Sequence, residues 1–161
     1  MKKYLSNILI YIAALFGIVA FIGLFSTPLQ IYDSTHGTWA PYIVKAYIGE
    51  SGIYKGTILP IFGYVIPFAM AIFLILESFK PRLSAKLKAI NTFFAIMFFL
   101  SAISVLLTKE LYLSVNGLGS TNDLRNGTGP VMAAILSTLA GIILLIVTYM
   151  PGRTEIDFIE K

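Results

Sequence analysis

The sequence predicts an all-α membrane protein, a four-transmembrane-helix bundle with a partly structured first outer loop. Of the 161 residues, 57% are hydrophobic and 12% are charged, and the mean hydropathy is +0.84. Such a chain is too apolar for an ordinary soluble domain and too short for several domains. We therefore interpret residues 1–161 as a single integral membrane domain.

Four apolar stretches are each long enough to cross a bilayer as a helix, which takes about 20 residues because buried backbone groups must bond within the segment. No charged residue lies inside them, and they cover residues 5–25, 57–76, 89–107 and 130–150. Lys2 and Lys3 precede the first stretch as they would a signal peptide, but its apolar run continues to Phe25. We expect a retained first span.

Prolines mark where two of the predicted helices begin, end or bend. Pro130 belongs to the first turn of the fourth helix with Thr128 as its N-cap, and Pro151 ends that helix. Pro60 and Pro67 in the second stretch remove backbone hydrogen bonds, so this stretch is predicted to kink.

The basic residues predict the orientation, because short cytoplasmic loops are enriched in Lys and Arg. The loop of residues 77–88 is the most basic one, and the residues predicted to set the topology are Lys80, Arg82, Lys86 and Lys88. Residues 26–56 and 108–129 then form the two outer loops. The sequence thus predicts a multi-pass protein of the cell membrane with both termini in the cytoplasm.

Three local patterns stand out in the outer loops. The segment from Pro41 to Ile48 is predicted to form one or two turns of amphipathic helix at the membrane surface. Asn116-Gly117 follows a run of β-prone residues and indicates a hairpin. Asn126-Gly127-Thr128 is a glycosylation acceptor pattern, so Asn126 is a candidate modification site.

Side chains that could carry chemistry are scarce. The chain has no cysteine and one histidine, His36, which lies near Asp33 in the first outer loop. Glu77 lies at the cytoplasmic end of the second span, where we expect a surface ion pair. Polar residues inside the spans are expected to bond to backbone or across helices rather than to bind substrate, and they are Asn91, Ser101, Ser104, Ser137, Thr138 and Thr148.

From these residues we predict no catalytic residue, no metal site and no cofactor of the chain's own, with quinone and lipid left open as ligands. The net charge of +4 is explained by topology, so nucleic acid is not expected as a partner. Small residues on the first and fourth spans allow close helix contacts and favour assembly with other membrane subunits or self-association within the lipid: Gly17, Gly23, Ala133, Ala134, Ala140 and Gly141.

Two segments resemble the DoxX/DoxD family of small four-span membrane proteins. One is the basic turn from Glu77 through Lys80, Pro81 and Arg82 to Ala85, and the other is the end of the fourth span, from Pro151 and Gly152 to Asp157. The resemblance covers mainly the second to fourth spans. It implies a subunit associated with quinone-linked respiratory or sulfur-oxidising complexes, and it transfers no catalytic residue.

Three functions stay open from the sequence. The favoured one is a noncatalytic, accessory subunit of a larger membrane complex, with a respiratory quinone-linked complex as the example that the resemblance implies. The second is a small oligomeric channel or transporter, which the kinked second span permits. The third is a quinone-linked membrane enzyme subunit, for which Glu77 and His36 are the candidate residues.

The orientation can be tested by neutralising Lys80, Arg82, Lys86 and Lys88 together, which should disturb the topology because these cations hold the loop in the cytoplasm. The measurement is the accessibility of a tag placed after Lys161 in intact cells. A wild-type tag that is accessible from outside would contradict the predicted orientation.

Overall fold

The computed structural model describes residues 2–42, 50–51, 54–78, 84–119 and 123–149. Within these ranges the chain forms the α-helices α1 (Lys2–Ile22), α2 (Leu59–Ser78), α3 (Ser84–Leu106), α4 (Thr108–Val115) and α5 (Thr128–Tyr149). All except α4 are long and apolar enough to cross a membrane. The four predicted spans are therefore confirmed as helices, with bounds that differ from the prediction by a few residues.

The four long helices form an antiparallel bundle in which α1 and α3 each pack against both α2 and α5. The buried residues form two clusters along the bundle. One includes Ala13, Ala71, Phe98 and Leu144, and the other includes Tyr64, together with Ala20, Ala102, Val105, Ala133 and Ala134. We call the end of the bundle at Ile22 and Thr128 the sheet end, and the end at Ser78 and Ser84 the far end.

Small residues let the helices approach closely. A Cβ on Gly17 of α1 would lie 2.7 Å from the carbonyl oxygen of Pro67 and 3.0 Å from the Cβ of Ala71. No side chain fits at that distance, so the packing of α1 on α2 requires glycine at this position. The sequence-based assignment of Gly17 to a helix contact agrees with this geometry.

A small antiparallel sheet lies at the sheet end, and the prediction of an all-α fold did not include it. Strand β1 (Leu29–Asp33) lies between β2 (Thr38–Pro41) and β5 (Leu124–Asn126), and a separate two-stranded pair joins β3 (Glu50–Ser51) to β4 (Tyr54–Lys55). The described part of residues 26–56 contains the strands β1 to β4. Its sheet also takes β5 from the second loop.

The second loop differs from its prediction as well. The residues before Asn116-Gly117 form α4 and not a hairpin strand, and Gly117 with a φ of 61° follows the helix end. The amide of Leu118 donates to the carbonyl of Leu113 at 2.9 Å, as in a glycine-terminated helix. Asn-Gly therefore ends a helix here, since the residues before it bury Tyr112 and Leu113 on one side.

Pro67 is the proline inside α2, whereas Pro60 is the second residue of that helix. A proline in the first turn interrupts no helical hydrogen bond, so the kink prediction rests on Pro67 alone. Pro130 lies in the first turn of α5 as predicted. Thr128 is the first residue of α5, and its Oγ1 lies 2.9 Å from Ser26 Oγ.

Some sequence-based predictions fall on residues that the structure does not describe. Pro41 ends β2, and residues 43–48 of the predicted amphipathic helix lie outside the described ranges. Lys80, Arg82 and the segment from Pro151 onward also lie outside them. Lys86 and Lys88 belong to the first turns of α3.

The sheet is joined to the bundle at Gly127, whose amide donates to the carbonyl of Pro28 at 2.9 Å. A Cβ there would clash with the backbone of Thr27. Gly127→Ala should therefore lower the free energy of unfolding by about 1–3 kcal/mol, read as a lower thermal midpoint of the purified protein in detergent.

The matched control is Gly119→Ala, because no atom of the described residues lies within 4 Å of a Cβ at Gly119. This variant should keep the wild-type midpoint. Equal destabilisation by both variants would show that the close approach at Gly127 does not limit stability.

Candidate functional site

The three-stranded sheet has two different faces, because neighbouring residues in a strand point to opposite sides. On one face, Leu29 and Leu124 are buried with Tyr112 and Leu113 of α4. The other face carries Gln30, Tyr32, Trp39 and Arg125, which the register places side by side: Gln30 is paired with Arg125, and Tyr32 with Trp39. We call these four residues the aromatic-basic face.

Contacts within the aromatic-basic face are specific. The rings of Tyr32 and Trp39 meet edge to face with their centroids 5.4 Å apart. The guanidinium carbon of Arg125 lies 4.1 Å from the centroid of the Trp39 ring, and its Nε donates to Gln30 Oε1 at 2.9 Å. Stacking on an indole ring and a bond to an amide oxygen fix the position of the guanidinium without neutralising it.

The face is accessible and positively charged. Tyr32 is 42% exposed, Arg125 is exposed, and Trp39 and Gln30 are half-buried. The contacts that Arg125 makes with described residues involve Gln30 and Trp39, and neither carries a charge. This face can therefore bind an anionic group, whose negative charge neither Gln30 nor Trp39 supplies.

The turn between β1 and β2 contains the only histidine. The Asp33 carboxylate accepts a bond from the amide of Thr35 at 2.9 Å and contacts His36 Nδ1 at 2.7 Å. The bond to His36 lowers the pKa of Asp33, so this carboxylate's contribution to stability is present above its ordinary pKa and is lost as the pH falls. Among the described residues, no third metal-ligating side chain joins the pair.

Asn126 ties three elements together. Its Nδ2 donates to the carbonyl of Leu106 at 2.6 Å, and its Oδ1 accepts from the amide of Lys109 at 2.9 Å. These are backbone groups at the end of α3 and the start of α4, which helices leave without partners. Glycosylation of Asn126 stays a prediction, and it would place the glycan on the nitrogen that donates to Leu106.

Several buried polar residues of the spans bond to their own helices. Ser101 and Thr148 donate to the carbonyls of Met97 and Leu144, four residues earlier, at 2.8 and 2.6 Å. These are the local backbone bonds expected from the sequence. Buried polar atoms without a bonded partner in the described part of the chain include Ser6 Oγ, Asn91 Nδ2 and Ser137 Oγ.

The structure places the remaining candidates apart from the aromatic-basic face. His36 is near that sheet but in the turn, whereas Glu77 lies in the last turn of α2 at the far end. The two candidates for an enzyme site are therefore at opposite ends of the bundle and cannot share one substrate. The sequence did not reveal that Arg125 and Trp39 form a pair, because their strands are far apart in the chain.

Comparisons with known proteins add no family assignment. No protein-family model, curated protein or solved structure matches this chain. The DoxX/DoxD resemblance consequently stays a prediction. The geometry of the chain itself has to support any functional conclusion.

The role of Asn126 can be tested with Asn126→Ala, which removes both bonds and should lower the free energy of unfolding by about 2 kcal/mol. Thermal unfolding in detergent measures this change. Thr128→Val removes the acceptor pattern but keeps both bonds of Asn126. It should lower the free energy of unfolding less than Asn126→Ala does.

Asn126→Ala and Thr128→Val could instead show equally lowered thermal midpoints when made in a glycosylating host, and wild-type midpoints when made in a host that does not glycosylate. The loss of stability would then arise from a missing glycan. The hydrogen-bonding role of Asn126 would then be wrong.

Proposed function

We propose that this chain is a noncatalytic integral-membrane subunit of a larger membrane complex, and that it binds its partner subunit through the aromatic-basic face. The observation that carries this proposal is the fixed and exposed face formed by Tyr32, Trp39 and Arg125 at one end of the bundle, where the contacts of Arg125 with described residues supply no negative charge. In this proposal the sheet end faces outside and the far end faces the cytoplasm.

The surface of the bundle supports membrane insertion. Large apolar side chains are exposed along all four long helices, which would be unfavourable in water and is expected in lipid. Examples that are at least half exposed are Leu15, Ile22, Phe62, Phe73, Phe93, Ile103, Ile135 and Ile146. The lengths of these helices, 19 to 22 residues in their apolar parts, match the thickness of a bilayer core.

The interior of the bundle favours a structural subunit over a conduit. Close contacts such as that of Gly17 with Pro67 bring neighbouring helices together along the bundle. Among the described residues, the buried polar side chains besides two tyrosines are Ser, Thr and Asn, and none of these carries a charge. A channel built from this chain would need a pore between protomers.

The aromatic-basic face has the composition of a protein interface. Trp, Tyr and Arg are the residue types most enriched among energetically dominant contacts, because they bury large areas and still offer a polar group. Here the residues are also held in place before binding, which reduces the entropy lost on association. The sheet lies beyond the helix ends, where the extramembrane part of another subunit can reach it.

The resemblance to DoxX/DoxD proteins directs the proposal toward a quinone-linked respiratory complex. The first experiment is extraction in a mild detergent, followed by sizing, mass spectrometry of the co-purifying proteins and a visible absorption spectrum. Companion subunits that carry haem or copper would support an accessory respiratory subunit. A colourless homo-oligomer would contradict it and favour the channel or transporter.

The partner face can be tested with Trp39→Ala and Tyr32→Ala, which should each reduce co-purification of the companion subunit at least about tenfold. The measurement is the ratio of companion to tagged chain after extraction. Tyr149→Ala is the matched control, because Tyr149 is 69% exposed at the far end.

Tyr149→Ala should leave the ratio unchanged. Loss of the companion in Tyr149→Ala together with full retention in Trp39→Ala would place the interface at the far end and reject the proposed face.

A further inference from the structure

A groove runs from the sheet along the first turns of α5. Its volume is about 570 Å³, and its lower wall is formed by Val131, Met132, Ile135 and Leu136. Gln30 and Arg125 line its rim. The groove therefore combines an apolar wall on a membrane-length helix with a polar, basic rim at the end of that helix.

The two parts of the groove are arranged along the helix direction. Val131 to Leu136 spans about 7.5 Å of α5 at 1.5 Å per residue. Arg125 precedes the first residue of α5 and stands beyond the helix end. If α5 crosses the bilayer, the apolar wall lies at the depth of acyl chains and Arg125 at the depth of headgroups.

The rim selects for negative charge. The Nε bond to Gln30 and the contact with Trp39 use part of the Arg125 guanidinium, which has five N–H donors. Neither contact supplies a negative charge, and a phosphate group is the acceptor that guanidinium binds in bidentate fashion. A zwitterionic headgroup would bring a second cation next to Arg125, whereas an anionic headgroup would not.

We propose that this groove is a binding site for an anionic phospholipid, whose phosphate contacts Arg125 and whose acyl chain lies along Val131, Met132 and Ile135 of α5. This site shares Gln30 and Arg125 with the proposed partner face but goes beyond it, because it serves a lipid and adds the side of α5. It requires only that the four long helices lie in a membrane.

The first test compares lipids on the purified chain by native mass spectrometry, with phosphatidylglycerol and phosphatidylcholine of the same acyl chains added in equal amounts. Wild type should retain phosphatidylglycerol at least about tenfold better. Arg125→Gln should abolish this preference, and Arg125→Lys should keep part of it. Lys109→Gln, which removes a cation of α4 outside the groove, should behave as wild type.

A second pair of variants tests the apolar wall without touching the rim. Ile135 and Ile146 are exposed to 55% and 52% on the same helix, but only Ile135 lines the groove. Ile135→Trp should reduce phosphatidylglycerol retention at least about fivefold, whereas Ile146→Trp should not. This pair remains decisive if Arg125→Gln disturbs the sheet.

The result that overturns the site is equal retention of the two lipids by wild type, or an unchanged preference in Arg125→Gln. Displacement of the lipid by millimolar inorganic phosphate, or a bound mass equal to a quinone, would also overturn it. The partner face is tested by a different measurement, the co-purification of the companion subunit with Trp39→Ala. Failure of the lipid site can therefore be distinguished from failure of the partner face.

Discussion

The close contact between the end of α1 and the start of α5 determines how the rest of the chain can be arranged. A Cβ on Gly23 would lie 2.9 Å from the carbonyl oxygen of Gly129, and a Cβ on Gly129 would clash with the backbone of Gly23. With the backbones this close, the amide of Gly129 reaches the carbonyl of Thr27 at 3.1 Å. The chain on both sides of this contact continues into β1 and β5. The sheet, its two faces and the groove beside α5 all follow from this one approach.

Much of the fold was predictable because long apolar stretches favour long helices. Four such stretches without charge predicted four long helices, and the helices differ from the prediction mainly at the ends. The sheet was not predictable in the same way. Its strands have three to five residues, and β1 and β5 come from loops about 95 residues apart. Such short strands are specified by the partners that the helices bring together, since their own sequence pattern is weak.

The same reasoning explains which site residues could be found. His36 near Asp33 was visible in the sequence because the two are neighbours in a turn, and they do form a pair. Arg125 and Trp39 were not visible as a pair, because their contact depends on β1 aligning β2 and β5. For Asn126, the sequence showed a three-residue glycosylation acceptor pattern. It did not show the two hydrogen bonds that Asn126 makes to the backbone between α3 and α4, because such bonds have no sequence pattern.

The order of the strands has a consequence for biogenesis. β1 and β2 emerge early in synthesis and can pair at once, but the other edge of β1 stays open until β5 has been made. An open edge is a template for pairing with other chains. That edge is paired once β5, which directly precedes α5, is in place. A chain that stalls on the ribosome before this point keeps β1 paired with β2 but leaves the other edge of β1 open to pairing with other chains.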